Sequence, residues 1–131
     1  MRHGLLLLAH GARNPEWARP FIQLASQLQA LRPQDPVAVA YLEFMSPDLD
    51  TAGQSLVASG CTRVDVLPAF LGSAGHVLRD IPPRLQALRE AHPQVEWVLH
   101  AALGEQAAVI NAMALAAHQL IEQSPQAPAA N

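Results

Sequence analysis

A chain of 131 residues, half of them apolar and 15% charged, has the size and composition of one globular domain built around one core. Its net charge of −3, without a run of like charges, offers neither a nucleic-acid track nor an attraction to an anionic membrane surface. All eight basic side chains are arginine, which excludes a Schiff-base lysine, pyridoxal chemistry and a phosphate-loop lysine. The single cysteine, Cys61, excludes an intrachain disulfide and a clustered-thiolate zinc or iron–sulfur site. It fits a reducing, cytoplasmic setting.

The first apolar run, Leu5 to Ala9, is too short for a signal-peptide core or a membrane span and reads as a buried strand. Trp17, Phe21, Leu24, Leu28 and Leu31 then recur at helical spacing as one stripe, and Pro33 and Pro36 close that helix. A second strand runs from Val37 to Leu42. The second helix is expected to open at Ser46-Pro47-Asp48, a cap followed by proline at the first helical position, and to end at Gly60. Val64 to Leu67 is the third strand. The third helix opens near Asp80, because Pro82 and Pro83 are tolerable only in a first turn, and it turns Ile81, Leu85 and Leu88 inward. Val95 to Leu99 is the fourth strand, and an alanine-rich fourth helix runs from about Glu105 to Ile121. The alternation predicts a three-layer α/β/α sandwich on a four-stranded parallel sheet, with one domain over residues 1–122 and a flexible tail over 123–131.

Ligands of open parallel sheets sit outside the carboxyl ends of the strands, so the loops after each strand carry the candidates. They read HGARNPE, EFMSPD, PAFLGSAGHVLRD and AALGE. His10, Glu43 and His76 thereby fall on one sheet edge from three loops. Two imidazoles and a carboxylate with open positions suit a divalent first-row metal such as cobalt, iron, nickel or zinc. A single histidine at a strand end is more often structural, and no local motif ties the three together; their coincidence carries the reading. Gly72 to Gly75 are small enough to bring the backbone close to a ligand. Arg13, Arg79 and Arg84 lie beside these loops and can pair with an anionic substrate, or be ordinary surface charge. Asp80 reads as a helix cap. His3 precedes the first strand, His92 ends the third helix, His118 lies on the fourth, and His100 ends the fourth strand, where it can face the site but packing is the commoner role. Arg2-His3-Gly4 spells the triplet of histidine phosphatases, but it stands before the first strand rather than after it.

The stretches LLLLAHGARNP, VAVAYLEFMSPDL and VDVLPAFLGSAGHVLRDIP together resemble the small single-domain sirohydrochlorin chelatases of the class II group, the cobaltochelatase and ferrochelatase branch. The likeness covers residue 4 to about 120. It departs at Ala12, where the family usually has serine, and at Ser73-Ala74. The resemblance implies metal ligation by His10, Glu43 and His76, which would also act in catalysis, and a tetrapyrrole substrate whose carboxylates meet Arg13, Arg79, Arg84 and Ser46. The metal, Co²⁺, Fe²⁺ or Ni²⁺, enters as substrate, with no permanently bound cofactor. In the larger class II enzymes two such βα halves enclose the cleft, so one half implies a homodimer. A non-catalytic carrier of divalent metal would use the same three ligands, and a phosphohydrolase remains the minor alternative.

Overall fold

The computed structural model describes residues 2–72 and 77–124. Four strands, β1 (Arg2–Ala9), β2 (Val37–Tyr41), β3 (Cys61–Pro68) and β4 (Glu96–Leu99), alternate with four helices, α1 (Arg19–Leu31), α2 (Leu49–Ala58), α3 (Ile81–Ala91) and α4 (Ala107–Gln123). The sheet is entirely parallel in the order β2-β1-β3-β4. β1 is therefore central, which is why its LLLLA run carries no charge: both of its faces are covered. Leu6 and Leu8 pack with Ala40, Val64 and Val66 against α2 and α3 in the main core. Ala9 and Tyr41 face the other way, onto Ala18, Trp17 and Phe21. Truncating a fully buried leucine such as Leu6 or Leu8 would remove about 2–5 kcal/mol of stability.

Several elements depart from their expected bounds. β1 begins at Arg2, so His3 lies within the strand rather than before it. α2 begins at Leu49, and its cap is Asp48, whose carboxylate accepts from the Thr51 N–H at 2.8 Å. The Ser46–Pro47 peptide is cis and lies ahead of the helix, so Ser46 is not at the helix N-terminus. Asp80 occupies the cap position of α3, but its side chain makes no capping hydrogen bond. The α1 stripe sits where its spacing puts it, yet none of α1 is fully buried and Leu31 is 79% exposed. α4 has no buried residue at all. Among the described residues no helix is long and apolar enough to cross a membrane.

Candidate metal centre

The chain leaves β1 toward β2 and leaves β2 toward β3, which lies on the other side of β1. The carboxyl edge between β1 and β3 is thus a topological switch point, where a crevice opens for a ligand. His10 stands there directly after β1. The loop after β2 is laced to it: Leu42 N–H donates to Ala9 O at 3.0 Å, and Glu43 N–H donates to His10 O at 3.1 Å. Gly11 makes this approach possible. Its φ is +99°, and a Cβ there would lie 1.8 Å from the Glu43 carbonyl oxygen, so any side chain would push the Glu43 loop away.

The result sets His10 Nε2 and Glu43 Oε1 3.6 Å apart, with the two side chains 45% and 44% exposed. That is too long for a hydrogen bond. It leaves lone pairs on both groups for a shared third partner. The Phe70 ring, from the loop after β3, meets His10 edge-on at 5.7 Å between centroids and 76° between planes, which limits how the imidazole can turn. Phe44, at φ +66°, presents its ring to Arg13, whose guanidinium carbon lies 5.0 Å from the ring centroid; the contact is a cation–π stack. Among the described residues no third His, Cys, Asp or Glu joins His10 and Glu43 as a metal-holding group. His76 lies outside the described residues.

Beside this pair, a cavity of about 550 Å³ is lined by Tyr41, Glu43, Phe44, Ser46, Asp48 and Arg84, among others. Ser46 therefore reaches the site region as a loop residue rather than as a helix cap. Asp48, hydrogen-bonded by the Thr51 backbone N–H and aided by the Arg84 charge, holds its carboxyl below the usual aspartate range. A carboxylate at that cap repels a second anion, so the N-terminus of α2 is not a carboxylate site. Arg79 is exposed at the end of the 3-10 turn Val77–Asp80. A smaller hollow of about 120 Å³ is lined by Pro68, Phe70, Ile81, Pro82, Leu99 and His100 among others.

His3 and His100 are engaged elsewhere. Asp65, 8% exposed on β3, takes His3 Nε2 on Oδ1 and His100 Nε2 on Oδ2, both at 2.7 Å, and Arg63 Nε on Oδ1 at 2.8 Å. A carboxylate can only accept, so each imidazole carries a proton on Nε2. Burial alone would raise this carboxyl; the donors from Arg63, His3 and His100 override it and hold it far below the aspartate range. Arg2 donates to Ser59 O at 2.8 Å. The Arg2-His3-Gly4 triplet thus starts a strand at the amino edge, committed to structural partners, and does not form a phosphate site. His92 is the C-cap of α3, and His118 is exposed on α4.

The family model CbiX matches residues 4–120. The chain belongs to the CbiX family. It is 31% identical over 87 residues to the sirohydrochlorin cobaltochelatase of Sulfurisphaera tokodaii, covering 66% of this chain and 71% of that protein. It is 29% identical over 92 residues to the sirohydrochlorin ferrochelatase of Priestia megaterium, 70% of this chain but 35% of that one. Among solved structures, a CbiX protein from Marinobacter aquaeolei VT8 superposes with a TM-score of 0.80 at 30% identity, covering 93% of this chain and 99% of that one. The sirohydrochlorin chelatase SirB from Bacillus subtilis subspecies spizizenii, in complex with cobalt, shares the fold at a TM-score of 0.80 and 21% identity. This CbiX chain spans about half of SirB, with 51% of that chain covered.

Proposed function

We propose that this CbiX chain inserts a divalent metal, Co²⁺ by preference and Fe²⁺ or Ni²⁺ by the same chemistry, into sirohydrochlorin or a close relative. The observation that carries the reading is the unbonded His10–Glu43 pair, 3.6 Å apart and half-exposed at the switch point of the sheet. Its support is membership of a family whose relatives are named sirohydrochlorin cobaltochelatase and ferrochelatase.

Metallation must strip water from the ion and remove two pyrrole N–H protons. His10 and His76 bind the ion through neutral imidazoles, Glu43 completes the set, and the remaining coordination positions stay open, because a closed four-ligand site would keep the metal. A histidine of this set accepts a pyrrole proton as general base. The Phe70 edge limits how the His10 ring turns. Arg13, Arg79 and Arg84 meet the macrocycle's carboxylates, Arg13 held by Phe44 beside Glu43, and Ser46 lends a hydroxyl in the cavity. The reaction serves cobalamin or siroheme synthesis in the cytoplasm, and a homodimer encloses the cleft that one half leaves open.

The test is anaerobic addition of Co²⁺ to protein preloaded with sirohydrochlorin, followed through the macrocycle's visible spectrum. Acceleration over the protein-free rate, lost in Glu43→Gln, is expected. Tight Co²⁺ binding without acceleration would make the chain a metal carrier instead.

A further inference from the structure

The loop between β2 and α2 is tied down at both ends. Tyr41 N–H donates to Pro47 O at 2.9 Å, and the Leu42 and Glu43 N–H groups donate to the backbone of Ala9 and His10. At its tip Met45 N–H donates back to Glu43 O at 2.9 Å, across Phe44 at φ +66°. A bond from residue i to i+2 over a residue of positive φ makes the rare and strained form of γ-turn. Among the described residues Phe44 is the only non-glycine with a positive φ. That region suits glycine, asparagine or aspartate and not a bulky ring.

Packing does not account for the ring. Leu42, before the turn, joins the main core, and Met45, after it, packs on the second cluster, while Phe44 belongs to neither and is 60% exposed. One residue thus carries two costs, a strained backbone and an apolar ring in water. Strain of this kind collects where a side chain must be presented to a partner. The surroundings of the ring indicate the chemistry of that partner. Phe44 follows directly on Glu43, and both line the cavity of about 550 Å³ that Arg84 also lines. Arg13 stacks over the ring, 5.0 Å from its centroid, an arrangement that keeps the in-plane N–H donors of the guanidinium available to a carboxylate. A flat apolar surface accompanied by two guanidinium groups fits a conjugated ring that carries carboxylates on its rim.

We propose that Phe44 is the platform on which the plane of the macrocycle packs, and that the strained turn holds its ring out beside Glu43 for that purpose. This rests on the tetrapyrrole reading above and adds a specificity-determining residue to it. Aromatic faces stack on any flat conjugated partner, so Phe44 selects a planar substrate while Arg13 reads a carboxylate at its edge. Glycine at this position would relax the turn and remove the platform. Stability and substrate binding are then expected to move in opposite directions. A phenylalanine that only supported the fold would move them together.

The test titrates metal-free sirohydrochlorin into the protein with no metal present, read by the macrocycle's absorbance, alongside Tm and calorimetric Co²⁺ binding. Phe44→Gly is expected to raise Tm by about 2–5 °C. It should weaken macrocycle binding about tenfold, equal to ~1.4 kcal/mol, with Co²⁺ affinity within about twofold of the parent. Phe44→Asn tolerates the same φ without glycine's added freedom and should behave alike, which separates loss of the ring from a loosened loop. Phe44→Trp should bind the macrocycle at least as tightly as the parent, with no gain in Tm. Parental macrocycle binding by Phe44→Gly would overturn the platform, and so would a lowered Tm in both Phe44→Gly and Phe44→Asn, which would make the ring structural. Loss of Co²⁺ affinity in step with the macrocycle would mean that Phe44 acts through Glu43, and would also overturn it. A parent chain that does not bind sirohydrochlorin at all would overturn the chelatase reading itself, and the platform with it.

Discussion

The Asp65 cluster and the His10–Glu43 pair use the same side-chain types on the same sheet and arrive at opposite chemistry. Around Asp65, two imidazoles and a guanidinium donate at 2.7–2.8 Å to a carboxylate that is 8% exposed. Its lone pairs are taken, and neither His3 nor His100 can offer Nε2 to a metal while that proton is held. At the carboxyl edge, His10 and Glu43 stand 3.6 Å apart, half-exposed and unbonded, with their ligating atoms unclaimed. A histidine next to a carboxylate is therefore no sign of a site by itself. What separates the two is how many donors the carboxylate already satisfies.

Substitutions can break that contrast, and the largest effect is expected at Gly11. Gly11→Ala should displace Glu43 through the Cβ clash and positive φ, at a cost on the order of 3 kcal/mol, and should abolish metal insertion. A melting curve and an insertion assay check it. Asp65→Asn should do the converse: about 2 kcal/mol of stability lost with its charge-assisted hydrogen bonds, seen as a fall of several degrees in Tm, with insertion within about twofold of the parent, a ratio worth ~0.4 kcal/mol. A large loss of insertion with normal Tm would place Asp65 in the chemistry.

Acid should sharpen the same contrast. The folded-state pKa of Asp65 is depressed, so its stabilisation is present above the ordinary aspartate value of ~3.9 and is lost as pH falls below it toward the folded value. Denaturant titrations between neutral pH and pH 3 should show the parent losing stability on acidification and Asp65→Asn losing less. The smallest effect belongs to Arg13. Arg13→Ala removes one exposed cation stacked on Phe44, and steady-state kinetics should show a few-fold rise in KM for the tetrapyrrole with kcat little changed.

The alternating layout was legible because β1 is buried on both faces and α2 and α3 carry regular apolar stripes. His10 and Glu43 were legible because parallel topology sends both loops to one edge. Phe70 was not, since an aromatic after a strand reads as core, and only the fold sets its edge against His10. Gly11 offered a signal, a glycine directly after the histidine, but its reason lies in a loop over thirty residues away. Asp65 was hidden by its setting: a charged residue between Val64 and Val66 is met by Arg63 two residues before it on β3, by His3 of β1 and by His100 just beyond β4, a convergence that no local pattern joins. At Ser46 the Ser-Pro-Asp run satisfies the capping pattern two residues early, whereas Asp48 caps the helix by reaching the Thr51 N–H.

The most direct measurement compares His10→Ala with His100→Ala in anaerobic Co²⁺ insertion into sirohydrochlorin. The open pair predicts a loss of at least a hundredfold in His10→Ala, equivalent to about 2.7 kcal/mol, with Tm nearly unchanged, and near-parental insertion in His100→Ala with a lowered Tm. Parental insertion by a folded His10→Ala would contradict it.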